Sequence, residues 1–171
     1  PLEDNVIVHF CWSANRCPGD AKVFARQKRL LADWHAKYPR NAFGMWLYNG
    51  FPHESGTWFN YLPFPGFFGD LCAEEMKYLK ANNVTDTVFC CGQKDDFESY
   101  LVARLLWNPD EGYASLKDRF FRSFGPAEKP IRAFYDLVED RFCSTNAWHG
   151  HQGHMTARYA WGYLGDEPTM A

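Results

Sequence analysis

The chain has 171 residues, enough for one domain with a sizeable core but fewer than the roughly 250 of a complete eight-stranded (β/α) barrel. With 18 basic and 21 acidic residues, its formal net charge of -3 gives no reason to expect a polyanionic partner. No apolar run approaches the roughly 18 residues that a membrane span requires. We therefore expect neither a nucleic-acid partner nor a membrane span.

The first third of the chain predicts strand, helix and strand. Residues 5–12 are β-branched and aromatic, with apolar side chains at both alternating positions, which predicts a parallel strand buried on both faces. A helix follows, which Asp20 can cap and which Tyr38-Pro39 ends. Its predicted buried face comprises Val23, Phe24, Leu30, Leu31 and Trp34. Residues 42–48 predict the second strand.

The middle of the chain repeats this order after a long aromatic loop, residues 49–68. A second helix is predicted over 69–82, ending at Asn82-Asn83, with Leu71, Cys72, Met76 and Leu79 as its buried stripe. A strand over 85–91 and a helix over 96–107 follow. The alternation of strand and helix, three times over, predicts right-handed β-α units and a parallel sheet.

Two further helices are predicted over 114–124 and 129–142, separated by Gly125-Pro126. Beyond Cys143 the pattern becomes irregular and rich in His, Gly and aromatic residues. The predicted organisation is therefore three β-α units over 1–109, a helical extension over 110–142 that packs on them, and an irregular tail over 143–171.

The stretch from Tyr100 to Pro109, YLVARLLWNP, is followed by Phe120-Phe121 and by Gly125-Pro126-Ala127. This pattern resembles the signature of the family catalogued as domain of unknown function 4838, glycoside-hydrolase-like barrels of polysaccharide-degrading bacteria. In that signature a helix ending in Leu-Leu-Trp-Asn/Asp-Pro precedes a helix ending in Tyr-Gly-Pro-Ala. Phe124 stands where the family has the Tyr. Weaker similarity extends the resemblance from Pro1 to about Asp140.

The resemblance implies a fold class of α/β, with parallel strand–helix units of a partial TIM-type (β/α) barrel followed by C-terminal helices. It implies the C-terminal half of such a barrel, with the proton donor before Pro1. We therefore expect a piece of a secreted or periplasmic carbohydrate-active protein, inactive by itself. Where the family would place an acid near the end of the last strand, this chain has Cys90-Cys91.

In barrels of this kind the working face is built by the loops that follow the strands. Hydrolysis of a glycosidic bond needs two carboxyl groups, and Asp95 is the candidate catalytic acid at a strand end, since Asp96 is better explained as the cap of the next helix. Trp46, inside a strand, is predicted to be core. The predicted sugar contacts are Trp12, Arg16, Tyr48, Asn49, Trp58, Tyr61 and Gln93.

The predicted partners are an oligosaccharide or polysaccharide, and the remainder of the parent barrel or another chain at the open sheet edge. We expect no cofactor. His149, His151 and His154 could ligate zinc together with Cys143 or Asp166, but paired Cys-x-x-Cys spacing is missing, so a polar loop is favoured and no metal is predicted.

Two other functions stay open. The loop aromatics and the shortage of acids at strand ends also fit a non-catalytic carbohydrate-binding module. A small α/β thiol hydrolase using Cys11 or Cys90 with a His is the third possibility. Cys11 could instead form a disulfide with Cys17 or be a buried thiol. An aromatic content of 18% fits a sugar cleft and a well-packed core equally.

Overall fold

In the computed structural model the described residues are 2–12, 21–48, 69–90, 97–143, 162 and 165–170, without the side chains at 48, 85, 88–90, 169 and 170. They form three strands: β1 (Val8–Trp12), β2 (Phe43–Tyr48) and β3 (Val84–Cys90). The helices are α1 (Ala21–Lys37), α2 (Gly69–Ala81), α3 (Phe97–Trp107), α4 (Tyr113–Arg122), α5 (Glu128–Cys143) and the short α6 (Glu167–Met170). The element order predicted up to residue 143 is confirmed, and α6 lies in the predicted irregular tail.

The three strands form one parallel sheet in the order β1-β2-β3, as the β-α alternation predicts. Consecutive parallel strands need a crossover, and α1 and α2 occupy the two crossovers. The chain is thus an α/β protein with a three-stranded parallel sheet and mostly helices, an arrangement compatible with part of a (β/α) fold.

One side of the sheet, here called the helix side, is covered by α1 and α2. The ring of Phe10 on β1 lies 5.6 Å from that of Trp34 on α1, and α2 joins α1 where the Tyr78 hydroxyl donates to the carbonyl of Lys28 at 3.2 Å. Alternate residues of the strands point here and are buried because of the period-2 geometry of a strand. The fully buried members on β2 are Phe43, Met45 and Leu47.

Two details of the predicted core are wrong. β1 is not buried on both faces, because His9 and Cys11 are exposed while Trp12 is buried. On α1, Leu31 is buried but Leu30 is 48% exposed, since consecutive helical residues are about 100° apart and only one of the two can face the sheet. The core-facing residues of α2 are as predicted, with Cys72, Met76 and Leu79 buried and Leu71 partly buried.

The helical extension packs on α2 and α3 around the buried ring of Phe97. The rings of Phe120 and Phe121 on α4 lie 4.8 and 5.0 Å from it. The predicted helix ends are also found. Asn83 follows α2 and Gly125 follows α4, and both adopt left-handed backbone angles, with φ of 53° and 55°.

None of the helices in the described part of the chain is long and apolar enough to cross a membrane.

Candidate functional site

The side of the sheet opposite α1 and α2, here called the open side, carries the polar and exposed residues of the strands. Strand pairing arranges them in two adjacent rows. The first row is His9, Gly44 and Asp86; the second begins with Cys11 and Trp46, which are direct partners on β1 and β2. Because the rows lie two residues apart along the strands, all five residues belong to one surface.

His9 and Asp86 meet across the middle strand. The Nε2 atom of His9 lies 3.0 Å from the Oδ2 atom of Asp86, although the two residues belong to β1 and β3. Gly44 makes this contact possible, since a Cβ atom built there would lie only 2.7 to 2.9 Å from ring atoms of His9. The imidazole therefore lies directly over the bare backbone of β2. The side chains are 34% and 50% exposed, so solvent reaches the pair.

An irregularity in the pairing of β2 with β3 brings Asp86 to this position. Phe43 pairs with Val84, but the next residue, Gly44, pairs with Asp86, so that one residue of β3 is skipped. In a regular strand Val84 and Asp86 would point to the same face. The extra residue reverses that alternation, as a β-bulge does. Val84 consequently packs against the core on the helix side, whereas Asp86 joins His9 on the open side.

Trp46 supplies an aromatic surface beside this pair. Its side chain was predicted to be core, but it is 40% exposed, since its position on β2 alternates with the buried Met45 and Leu47. Cys11, its partner on β1, is exposed as well. An exposed indole next to a half-exposed imidazole–carboxylate pair offers both a flat apolar face and hydrogen-bonding groups to a ligand.

Trp12, predicted to contact sugar, lies on the opposite side of the sheet. It is 2% exposed, packs against Phe24 at 5.9 Å, and donates from Nε1 to the Oε1 atom of Glu75 at 2.8 Å. The prediction is corrected because Trp12 shares the alternation of Phe10, which faces the helices. Nothing in the apolar pattern of α2 predicts that a buried carboxyl on this helix pairs with Trp12.

Glu75 is itself 1% exposed, and its second oxygen, Oε2, has no hydrogen-bond partner among the described residues. Burial raises the pKa of Glu75 to about 8, while the hydrogen bond from Trp12 acts in the opposite direction. This carboxyl of α2 is strongly perturbed, but it is enclosed between the sheet and the helices and cannot meet a dissolved substrate.

The side chains of the other predicted site residues lie outside the part of the chain that the structure describes. Arg16, Asn49, Trp58 and Tyr61 lie outside the described residues. So do Gln93 and Asp95, and of Tyr48 only the backbone at the end of β2 is described. The candidate sugar contacts and the candidate acid therefore stay predictions. The His9–Asp86 pair was missed, although a charged residue inside an apolar strand pattern was a usable signal.

No set of three or more metal-ligating side chains comes together within the described ranges. His149, His151 and His154 lie outside them, as does Cys17, the proposed disulfide partner of Cys11. Of the two further zinc ligands considered, Asp166 lies 3.7 Å from Arg141, at the end of α5.

A second concave region of about 490 Å³ lies between α2, α4 and α5. Lys117 bridges Asp136 at 2.7 Å and Glu139 at 3.0 Å, and Tyr113 donates to Glu139 at 2.9 Å. Burial, followed by the charge of Glu139, raises the pKa of Asp70 beside them. These ion pairs join α4 to α5, which accounts for the charges of Lys117, Asp136 and Glu139 without a ligand. Its lining comprises Asp70, Leu71, Lys117, Asp136, Glu139, Asp140 and Cys143.

Comparison of the chain with protein-family models found no match, and neither the curated proteins nor the solved structures gave one. The resemblance to glycoside-hydrolase-like barrels therefore rests on the residues quoted for it from the sequence.

Proposed function

We propose that this chain is a segment of a secreted or periplasmic, carbohydrate-active protein of the glycoside-hydrolase-like kind, and that its open side forms part of a cleft for an oligosaccharide or polysaccharide. The observation that carries this proposal is the indole of Trp46, 40% exposed, beside the His9–Asp86 pair on the side of the sheet that faces away from α1 and α2. In a (β/α) barrel this side of the sheet faces the packed interior, which borders the active site at the carboxyl ends of the strands. Trp46 lies in the half of β2 nearer to that end.

The chemistry of the open side suits sugars for two reasons. A pyranose ring has an apolar face that stacks on aromatic rings, and the indole of Trp46 is the largest such surface described there. Sugar hydroxyls both donate and accept hydrogen bonds, and the carboxylate of Asp86 accepts them while the imidazole of His9 can do either. A non-catalytic carbohydrate-binding module would use the same surface.

The proposal is tested by calorimetric titration of the whole chain with a panel of neutral and uronic oligosaccharides. We expect saturable binding to at least one of them, weakened about tenfold in Trp46→Ala through loss of the stacking surface. Trp107→Ala is the matched control, because Trp107 is 87% exposed on α3, away from the sheet strands, and its removal should leave the affinity unchanged. Absence of binding to every sugar, or equal effects of both variants, contradicts the proposal.

The catalytic part of the proposal is tested separately. We expect the chain alone to show no turnover of aryl glycosides or uronides, because a two-carboxylate mechanism needs a second acid in addition to Asp95. Turnover that disappears in Asp95→Asn would make the chain a complete enzyme and overturn the proposal that it is a segment of one.

A second candidate function is thiol-dependent hydrolysis, favoured by one observation: Cys11 lies two residues from His9 on the same side, and His9 is paired with Asp86. In that mechanism His9 takes the thiol proton as Cys11 attacks an ester or amide carbon, and Asp86 orients the imidazole. His9 returns the proton to the departing alcohol or amine as its bond to the carbon breaks, and water then hydrolyses the thioester to release the acid and the Cys11 thiol. Esterase activity that is lost in both Cys11→Ser and His9→Ala, with no sugar binding, would favour this function over the first.

A further inference from the structure

The longest helix of the extension, α5, is apolar along two separate faces. One face carries Ile131, Tyr135, Val138 and Phe142, which belong to the core or pack against it. The second carries the residues Pro130, Ala133, Phe134 and Leu137, here called the apolar stripe, all exposed. A helix at the surface of a single domain needs only one apolar face. The packing of the described residues therefore does not account for the apolar stripe.

The spacing distinguishes the apolar stripe from scattered surface hydrophobic residues, which are normal in soluble proteins. Its members lie three, four and seven residues after Pro130, which is the spacing of a seam between packed helices. Phe134 and Leu137 are 53% and 58% exposed, so that both side chains present most of their apolar surface to solvent. Another helix packed on the stripe would bury it.

The charges beside the apolar stripe point to the identity of that helix. Lys129 and Asp140 lie three helical turns apart, on the same flank of the stripe and at its opposite ends. Both are exposed, and within the part of the chain that the structure describes neither makes an ion pair of its own. One end of the flank is therefore positive and the other negative. This is the arrangement that is complementary to itself when two copies pack antiparallel.

We propose that the apolar stripe of α5 is a docking surface for a second copy of this chain, and that the two α5 helices pack antiparallel about a twofold axis. Phe134 and Leu137 of each copy fill the centre of the interface. Lys129 of each copy faces Asp140 of the other, so the two ion pairs flank the apolar contact and fix its direction. The contact is small, so the dimer is weak and the fraction of the chain present as dimer rises with protein concentration.

The first test is the mass of the whole chain, measured by sedimentation equilibrium across a roughly hundredfold range of concentration. We expect a monomer–dimer equilibrium that is lost in Phe134→Glu and in Leu137→Lys. Leu30→Lys is the matched control, since Leu30 is an exposed apolar residue on α1, outside the stripe, and should leave the dimer intact. Circular dichroism of each variant checks that the helices remain folded. A chain that is monomeric throughout the range overturns the proposal.

The second test isolates the antiparallel geometry. Lys129→Glu and Asp140→Lys each place like charges at both ends of their own homodimer, so each variant should dimerise at least about tenfold more weakly than the original chain. Mixing the two variants restores an opposite pair at each end, and the mixed dimer should form with the original affinity. Failure of the mixture to recover, or a dimer that survives Leu137→Lys, shows that another surface such as a sheet edge holds the copies together, and contradicts the proposal.

Discussion

Two carboxyl groups on opposite sides of the same sheet differ in their burial and in their hydrogen-bond partners. Glu75 on the helix side is buried, accepts one hydrogen bond from Trp12, and is held largely in its neutral form. Asp86 on the open side is half exposed and paired with His9 at 3.0 Å. Solvent makes the difference, because an isolated carboxylate is costly in an apolar layer but inexpensive where water and an imidazole surround it.

The contrast assigns different roles to the two sides. The helix side holds the sheet to α1 and α2 through large buried side chains, so changes there should be expressed as lost stability. Among the described residues, the open side presents a partly exposed indole, thiol, imidazole and carboxylate, so changes there should be expressed mainly in binding or reactivity. Stability and function should therefore separate between the two sides of the sheet.

The largest expected effect is the pH dependence that Glu75 imposes. Its folded pKa of about 8 exceeds the ordinary value of 4.5, so the folded state binds the proton more tightly. The stability contributed by this protonation is complete below pH 4.5, falls as the pH rises through 8, and amounts to about 5 kcal/mol over that window. Urea unfolding of the whole chain between pH 4.5 and 9 measures it.

Glu75→Gln provides the comparison, because the amide oxygen still accepts from Trp12 Nε1 but the side chain cannot ionise. Relative to the original chain, the variant should gain stability steadily as the pH rises. Other groups titrate alike in both proteins and cancel in the difference. If the free energies of unfolding of the two proteins differ by a constant amount from pH 4.5 to 9, the pKa of Glu75 is not raised by burial.

The next effect in size compares two neighbouring residues of β2 that point to opposite sides. Leu47 is fully buried, so Leu47→Ala should lower the free energy of unfolding by about 2–5 kcal/mol through lost burial and the cavity left behind. Trp46→Ala should cost less than Leu47→Ala, although it removes a larger side chain, because Trp46 is 40% exposed. Denaturant unfolding of both variants measures the difference. Equal losses would show that the open side is as structural as the helix side.

Much of the fold could be predicted from periodicity alone. The strands and helices up to residue 143 follow from runs of apolar residues with period 2 or 3.6, and the parallel order follows from the helices between the strands. Trp12 and Trp46 were nevertheless each assigned to the wrong side. Both strands carry apolar side chains at odd and at even positions. The sequence therefore does not indicate which of the two sets faces the helices.

The charge of Asp86 inside an apolar strand pattern was a usable signal, but its contact with His9 could not be predicted. It depends on one skipped residue in the register of β2 and β3, which places Asp86 opposite Gly44. Such a bulge reverses the facing of every residue after it, and nothing local in the sequence marks it. The alternation that correctly places Val84 on the helix side would, continued without the bulge, place Asp86 there too.

Gly44→Ala should therefore have an intermediate effect that depends on His9. The new methyl group would lie within 2.7–2.9 Å of the imidazole, so the ring must move and the contact with Asp86 is lost. We expect a loss of about 1–2 kcal/mol in urea unfolding. In a His9→Ala background the same substitution should cost almost nothing, because the obstructing ring is gone. An equal cost in both backgrounds would place the strain in the backbone of β2 instead.

The smallest expected effect is the energy of the His9–Asp86 pair itself. Its side chains are 34% and 50% exposed, so solvent screens the attraction, and the coupling from a double-mutant cycle of His9→Ala and Asp86→Ala should be below about 1 kcal/mol. The same cycle measured on sugar affinity should give a larger coupling if the pair orients hydrogen bonds to a ligand. The pair would then contribute more to binding than to stability, as expected if the open side binds the ligand. A coupling confined to stability, with unchanged affinity in all three variants, would reduce the pair to a brace between β1 and β3.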